Sequence, residues 1–92
     1  MTTDDYRNAI RSFILSHFPL ARQRSILDDD PLLDSGIVDS LGVLELVGYL
    51  ESKFGLTITD EELLPGNFQS ISSLARFVVQ KKDGAATLNL KE

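Results

Sequence analysis

Apolar residues near the amino terminus recur with the period of an α-helix. Their positions follow the spacing i, i+4, i+7, i+8 and i+12, which places them on one helical face. These residues are Tyr6, Ile10, Phe13, Ile14 and Phe18. We therefore predict an amphipathic helix over roughly residues 4–17, with Thr2 or Thr3 as its cap and Pro19 as its end.

The stretch from residue 19 to residue 38 shows no helical period and contains Pro19, Pro31 and Gly36. We predict a long loop here, because proline and glycine interrupt regular structure. Connections longer than about 12–15 residues are uncommon in compact domains and often carry function. Four apolar residues are expected to hold the loop against the core. They are Leu27, Leu32, Leu33 and Ile37.

A second helix is predicted from Ser40 to Phe54, ending at Gly55, and its sequence carries two apolar stripes. The inner stripe, predicted to be buried, consists of Val43, Leu46, Val47, Leu50 and Phe54. The outer stripe consists of Leu41, Leu44 and Gly48, flanked by Glu45 and Glu51. A helix in a simple bundle needs only one buried stripe. We therefore interpret the outer stripe as a docking surface for a partner protein.

The remaining sequence predicts a short acidic turn and a last helix. The turn covers residues 60–64 and is closed by a Pro-Gly pair. Ser70 is a suitable cap for a helix that runs to about Lys82 and stops near Gly84. Its inward residues are Ile71, Leu74, Ala75 and Val78. The elements predict an all-α fold, a three- to four-helix bundle with a long first loop, in which residues 1–84 form the domain and residues 85–92 a disordered tail.

Composition argues against several classes of protein. The 92 residues include no cysteine and one histidine, His17, which excludes disulfides, cysteine nucleophiles and multi-histidine metal sites. The net charge of -5 argues against nucleic acid as a partner. No apolar run reaches the ~18–20 residues of a membrane span, and the polar, acidic start is unlike a signal peptide. We expect a cytoplasmic monomer without a transmembrane segment.

Negative charge is concentrated in the middle of the chain. Residues 28–62 contain ten acidic residues and one basic residue, for a net charge of -9. This segment is either a solvated acidic surface or a face that steers basic partners. The acidic run 28–30 does not continue as an EF-hand calcium loop, because Leu32 and Leu33 stand where that loop needs a ligand and a glycine. We assign no metal site, and weak binding of divalent ions by the clustered carboxylates stays open.

Ser40 stands where the long loop becomes the second helix, so we expect its hydroxyl to be exposed on a rigid element. Serine at such a position is often a helix cap, and its neighbours leave that role open. His17 lies at the end of the first helix, and nothing in the sequence brings a serine and a carboxylate to it. We predict no catalytic residues and no enzymatic activity, because no acid–base pair or cofactor cradle is visible.

The residues around and after Ser40 form a more specific pattern. It consists of Asp39-Ser40-Leu41, Leu44-Glu45-Leu46, Leu50-Glu51 and Phe54-Gly55. This pattern resembles the acyl carrier protein family, and the resemblance extends over roughly residues 6–82. It includes the first helix, the long loop, the Asp-Ser-Leu entry to the second helix, a short third helix and the apolar spacing of the last helix.

The resemblance implies a carrier function. In this family the serine of the Asp-Ser-Leu motif, here Ser40 between Asp39 and Leu41, receives 4′-phosphopantetheine from coenzyme A through a separate transferase. The terminal thiol of that group then carries an acyl group as a thioester, which accounts for a chain without cysteine. Ser35 also follows an aspartate, but it precedes Gly36 and no apolar helix, so we expect a loop role for it.

The resemblance also implies the partners. They are the phosphopantetheinyl transferase and acyl-loading and acyl-transferring enzymes of fatty-acid, lipid or related acyl biosynthesis, with basic docking patches. The residues assigned to docking are Leu41, Leu44, Glu45, Gly48 and Glu51. An aminoacyl or peptidyl carrier stays open, and so does a non-carrier acidic helical adaptor in which Ser40 is a plain helix cap.

Three residues differ from carriers of general fatty-acid synthesis. Gly42 and Ser52 stand where those carriers often have an acidic residue, and Gly48 stands where they tend to have a bulky apolar one. The segment Ser-Gly-Ile-Val-Asp-Ser, residues 35–40, is more similar to the same segment of stand-alone carriers that serve a dedicated enzyme. We therefore expect a specialised member of the family.

Overall fold

The structure, a computed structural model, contains four α-helices and two short 3-10 turns among the residues that it describes. It describes the backbone of residues 2–91 and the side chains of residues 2–82. The elements are α1 (Thr3–His17), α2 (Pro19–Gln23), α3 (Ser40–Phe54), 3-10 turns at Asp60–Glu62 and Pro65–Asn67, and α4 (Ile71–Lys91). Residues 2–91 contain no β-strand, and the predicted all-α helical bundle is confirmed.

The first helix, α1, is capped by Thr2. The Thr2 Oγ1 atom accepts a hydrogen bond from the Asp5 amide at 3.2 Å, and the Thr2 amide donates to Asp5 Oδ2 at 3.0 Å. These reciprocal bonds satisfy amides that have no partner within the helix, and the bonds to Thr2 hold the pKa of Asp5 below its usual value. The helix ends at His17, as predicted.

The prediction of an unbroken loop from residue 19 to residue 38 is wrong at its start. Pro19 follows the end of α1 but also begins α2, because the first turn of a helix does not need the amide hydrogen that proline lacks. Ala21 in α2 is fully buried, so this short helix contributes to the core. From Arg24 to Asp39 the connection is irregular.

This irregular connection is fastened to the neighbouring helices. The Leu32 amide donates to the Gln69 carbonyl oxygen at 2.7 Å, and the Ser72 amide donates to the Asp28 carbonyl oxygen at 2.9 Å. Arg11 of α1 donates from Nη1 to Asp28 Oδ1 at 3.1 Å. The connection is therefore held between α1 and the start of α4.

Three of the four apolar residues expected to hold the loop do so. Leu32 and Ile37 are buried and Leu33 is half-buried. Leu27 is 67% exposed, because the chain turns there through a 2.8 Å hydrogen bond from the Leu27 amide to Asp30 Oδ2. The prediction for Leu27 is wrong.

The third helix has the predicted bounds, and Gly55 ends it with a left-handed backbone at φ 67°. The fully buried members of its inner stripe are Leu46 and Leu50. Phe54 is also buried, whereas Val43 and Val47 at the edges of the stripe are half-buried. These residues share one hydrophobic core with residues of α1 and α4. The partners include Ile10, Ile14, Ile71, Leu74 and Val78.

The fourth helix is longer than predicted. Ser70 is its cap as expected, because Ser70 Oγ accepts a hydrogen bond from the Ser73 amide at 3.0 Å. The helix continues to Lys91, past the predicted stop near Gly84, since no proline follows and one glycine costs a helix only about 1 kcal/mol. The side chains of residues 83–92 and the backbone of residue 92 lie outside the described part. The division into a domain of residues 1–84 and a tail of residues 85–92 stays a prediction.

The segment between α3 and α4 is anchored by Glu62. Lys81 Nζ lies 2.8 Å from Glu62 Oε1, and the Thr59 amide donates to the same oxygen at 3.0 Å. The hydrogen bond from Lys81 and, to a smaller extent, that from the Thr59 amide lower the pKa of Glu62. These contacts fix the acidic turn against α4.

Among the described residues, no helix has both the length and the apolar character that crossing a membrane requires. The cytoplasmic location expected from the sequence stays a prediction.

Candidate functional site

The start of α3 presents Ser40 without using its side chain. Asp39 caps the helix, because its Oδ1 atom accepts a hydrogen bond from the Gly42 amide at 2.8 Å. Ser40 is the first helical residue and is exposed, and its hydroxyl has no hydrogen-bonding partner among the described side chains and backbone groups. The interpretation of Ser40 as the plain cap of this helix is therefore wrong.

The first turn of α3 packs tightly against the junction of α1 and α2. Gly42 is buried there, and a Cβ atom added to it would lie 2.7 Å from Phe18 Cε1 and 3.0 Å from Val38 Cγ1. Both neighbours are buried as well. Glycine is the residue that fits this contact without a shift in the core. The contact fixes Ser40, two residues earlier, relative to α1.

An apolar cleft of about 390 Å³ opens beside Ser40. We call it the Ser40 cleft. Its lining residues are Leu33, Val38, Asp39, Ser40, Val43, Leu63, Leu64, Pro65 and Phe68. The sequence analysis did not predict the wall of this cleft that is formed by residues after α3. The one signal for it in the sequence was the apolar pair Leu63-Leu64 directly before Pro65. The volume falls within the range of about 300–1,000 Å³ that is usual for small-molecule sites.

The outer stripe of α3 is exposed. Leu41 is 70% exposed and Leu44 is 60% exposed. Gly48 is exposed too, and nothing lies within 4 Å of the point where its Cβ atom would be. Glu45 is exposed and has no hydrogen-bonding partner among the residues that the structure describes. We call these four residues the outer patch.

Glu51, which the sequence also assigned to docking, has a different environment. It is half-buried, and its Oε2 atom accepts a hydrogen bond from the Ile58 amide at 2.9 Å. Its carboxylate therefore holds the loop that follows α3, and the structure does not group it with the free carboxylate of Glu45. A docking role for Glu51 stays a prediction.

Two other residues weighed in the sequence serve the fold. Ser35 is half-buried and its hydroxyl donates a hydrogen bond to the Pro31 carbonyl oxygen, which confirms the loop role expected for it. His17 is exposed, and its ring stacks on that of Phe13 with the centroids 4.1 Å apart. No hydrogen bond within residues 2–82 joins His17 to a serine or a carboxylate.

The surroundings of Ser40 fit a group attached through a phosphodiester. Its hydroxyl is free to form the ester, and it stands at the start of a 15-residue helix, whose positive end favours an anion. The carboxylate of Asp39 opposes that attraction, so the net electrostatic gain is small. The Ser40 cleft lies beside this hydroxyl and offers apolar surface to a long substituent.

A family model described as "Phosphopantetheine attachment site" matches residues 19–78, about two thirds of the chain. The match includes all of α3 and the residues that line the Ser40 cleft. The chain therefore belongs to the family of phosphopantetheine-binding carrier proteins, and 4′-phosphopantetheine is the prosthetic group of this family.

Two proteins with similar sequences are carrier proteins. The acyl carrier protein of Chloroherpeton thalassium is 28% identical over 82 residues, which are 89% of this chain and 99% of the relative. The D-alanyl carrier protein of Streptococcus suis is 33% identical over 52 residues, which are 56% of this chain and 66% of the relative. The resemblance to the acyl carrier protein family found in the sequence is confirmed.

Proposed function

We propose that the chain is an acyl carrier whose Ser40 holds 4′-phosphopantetheine and that it delivers acyl thioesters to enzymes of fatty-acid, lipid or related acyl biosynthesis. One observation carries the assignment to Ser40. Asp39 takes the capping bond to Gly42, and the hydroxyl of Ser40 stays exposed and unpaired within the described residues. The hydroxyl of Ser35, the other serine that follows an aspartate, is engaged inside the loop.

The chain's own part in this function is to present Ser40 and to shelter cargo. The prosthetic group supplies the thiol that carries the acyl group. The Ser40 cleft is lined mostly by apolar side chains, which favour an apolar group over water. Asp39 is the carboxylate beside Ser40, and it is engaged in the capping bond to the Gly42 amide, so we assign the transfer chemistry to partner enzymes.

An aminoacyl carrier is the second candidate, because one relative is a D-alanyl carrier protein. The two candidates differ in what the cleft must accept. An aminoacyl group carries an ammonium, which is costly to bury among apolar side chains without a partner. The wall formed by Leu63, Leu64 and Phe68 favours an acyl cargo, and the one carboxylate of the lining, Asp39, is engaged by the Gly42 amide. The intact mass of the protein from its native host distinguishes the two, since it reports the cargo directly.

Loading with coenzyme A and a phosphopantetheinyl transferase is expected to add one phosphopantetheine mass to the wild-type protein. Ser40→Ala is expected to gain nothing, because it lacks the accepting hydroxyl. Ser35→Ala is the matched control and is expected to load like the wild type. Intact mass spectrometry measures all three. A mass gain on Ser40→Ala would overturn the site, and an unmodified Ser40 in the native host would favour the acidic helical adaptor.

Charge reversal in the outer patch is expected to slow loading. Glu45→Lys places a cation on the surface proposed to meet basic partners, and such changes mainly reduce the association rate. Raising the salt concentration should slow the wild type as well, because the screening length near physiological ionic strength is only about 8–10 Å. Initial loading rates across a salt series measure both effects.

The control for this charge reversal is Asp29→Lys. Asp29 is an exposed acid in the connection before α3, so this variant makes the same change in net charge away from the outer patch. It is expected to slow loading less than Glu45→Lys does. Equal rates for wild type and Glu45→Lys at every salt concentration would contradict an electrostatic docking surface.

A further inference from the structure

Phe18 lies at the corner where α1 ends and α2 begins. Its amide donates a hydrogen bond to the Ile14 carbonyl oxygen at 2.9 Å, and its carbonyl oxygen accepts one from the Ala21 amide at 2.9 Å. Its ring meets the ring of Phe13 edge-on, with the centroids 6.3 Å apart. Only 8% of the residue is exposed. Two helices and a neighbouring ring therefore fix the place of the Phe18 side chain.

Gly42 is the point at which three contacts within the first turn of α3 meet. The position that its Cβ atom would take lies 2.7 Å from Phe18 Cε1 and 3.0 Å from Val38 Cγ1. The Gly42 amide donates a hydrogen bond to Asp39 Oδ1 at 2.8 Å. Val38 is itself held by the preceding loop, since its amide donates to the Leu32 carbonyl oxygen at 3.0 Å. The segment from Val38 to Gly42 is therefore closed into one turn that rests on the Phe18 ring.

Ser40 is the middle residue of this turn, and its own side chain does not hold it in place. The hydroxyl is exposed and has no hydrogen-bonding partner among the residues that the structure describes. The position of the Ser40 Oγ atom is therefore set by the backbone of the turn, whose two ends, Val38 and Gly42, meet beside the Phe18 ring. A displacement of that ring would move Ser40 together with the turn.

We propose that Phe18 is a positioning residue for the transfer to Ser40, an inference that rests on the proposed function. In that transfer the Ser40 Oγ atom forms a bond to the phosphorus of coenzyme A that carries the pantetheine. The bond from this phosphorus to the adenosine bisphosphate breaks, the electron pair leaves with that group, and the hydroxyl proton passes to a proton acceptor of the transferase. The attacking oxygen must lie in line with the breaking bond, and a misplacement of about 1 Å can cost about a hundredfold in rate.

This role predicts an effect on the rate of transfer and not on the affinity of the carrier for the transferase. Phe18 is buried, so the enzyme does not contact it, and the outer patch consists of other, exposed residues. A misplaced Oγ atom lowers kcat, because the geometry it spoils matters when the new bond forms. A residue that only stabilises the fold would instead change the melting temperature and leave kcat of the folded protein unchanged.

The first test is Phe18→Leu, which removes the ring atoms that touch Gly42 and keeps a buried apolar side chain. We expect kcat for loading to fall about tenfold and KM for the carrier to stay within about twofold of the wild-type value. Single-turnover kinetics separates the transfer step from product release. Hydrogen exchange of the Gly42 amide should become faster, because the turn opens more often without the ring. NMR measures this exchange on the protein before any loading.

The matched control is Phe54→Leu, the same substitution at the other end of α3. Phe54 is only 4% exposed, and its ring meets that of Tyr6 edge-on with the centroids 5.2 Å apart. Phe54→Leu is expected to lower the melting temperature about as much as Phe18→Leu does. It should leave kcat within about twofold of the wild-type value, because Phe54 does not touch the turn that holds Ser40. All variants are assayed well below their melting transitions.

A double variant tests the contact between Phe18 and Gly42 directly. Gly42→Ala alone presses its Cβ atom against the ring and is expected to lower kcat. In Phe18→Leu the same Cβ atom meets the space that the ring has left. Adding Gly42→Ala to Phe18→Leu is therefore expected to raise both kcat and the melting temperature. Such a reversal of sign between two backgrounds is the mark of two residues that act through one contact.

Each outcome decides the proposal. A loss of kcat in Phe18→Leu that is absent from Phe54→Leu, with KM kept in both, supports it. Equal kcat values for Phe18→Leu and the wild type, or equal losses in the two phenylalanine variants, would overturn it, and so would a Gly42→Ala effect of the same sign in both backgrounds. Failure of the wild-type protein to gain mass would instead overturn the proposed function, and mass spectrometry of the same reactions reports it separately.

Discussion

Replacing Leu46 with alanine is expected to lower the free energy of unfolding by about 2–5 kcal/mol, the usual cost of a cavity left by a buried leucine. Leu46 has no exposed surface and lies in the inner stripe of α3, within the core shared with α1 and α4. A small domain has only about 5–15 kcal/mol in total. The melting temperature should therefore fall by about 8 °C or more, which circular dichroism measures.

The matched control for Leu46→Ala is Leu44→Ala, the same substitution two residues earlier in the same helix. Leu44 is 60% exposed, so its truncation should change the free energy of unfolding by no more than about 0.5 kcal/mol. Loading of Ser40 should instead become slower, since Leu44 belongs to the outer patch. An equal decrease in melting temperature in the two variants would show that the Leu44 side chain is packed in the core.

Alanine in place of Gly42 and of Gly48 is expected to change stability in opposite directions. Gly48→Ala should raise the free energy of unfolding by about 0.5–1 kcal/mol, because alanine favours the helix and the added Cβ atom meets nothing within 4 Å. Gly42→Ala gains the same preference but places its Cβ atom 2.7 Å from Phe18 Cε1. Overpacking of this kind costs about 1–3 kcal/mol, so we expect a net loss.

Thermal melts of the two glycine variants, with the wild type as the reference, measure these opposite changes in stability. A change of about 1 kcal/mol moves the melting temperature of a domain this size by roughly 4–8 °C, which is easily resolved. Stabilisation by Gly42→Ala would mean that Phe18 moves aside without cost, and that the start of α3 is held less tightly than its contacts indicate. Destabilisation by Gly48→Ala would contradict the open space around the Cβ position of Gly48.

Features that depend on local sequence were predictable. The bounds of α3 follow from the helical period and from Gly55, and the exposure of Leu41 and Leu44 follows from their positions on the helix. The motif around Ser40 could be recognised because its residues are adjacent in the chain. Such patterns need no knowledge of which helix packs against which.

Features that depend on contacts between distant residues were not predictable. Gly42 stood out only as a departure from related carriers, and its reason is the ring of Phe18, which arrives from another helix. The stack of Phe13 on Tyr49 needs the relative position of α1 and α3, which no local pattern contains. A proline such as Pro19 can follow the end of one helix or begin the next helix. The packing of the residues after it decides which of these occurs, and the local sequence does not show that packing.

The two backbone hydrogen bonds that fasten the long connection to the start of α4 also affect how the protein moves. Local opening of the segment before Ser40 would have to break the bonds Leu32–Gln69 and Ser72–Asp28 together with the burial of Leu32. The two hydrogen bonds contribute about 0.5–1.5 kcal/mol each and the buried leucine about 1.5–3 kcal/mol, so the open form of this segment is a minor population. In the proposed function, a partner enzyme would therefore meet Ser40 mostly in one prepared arrangement and would not have to select it from a broad conformational ensemble.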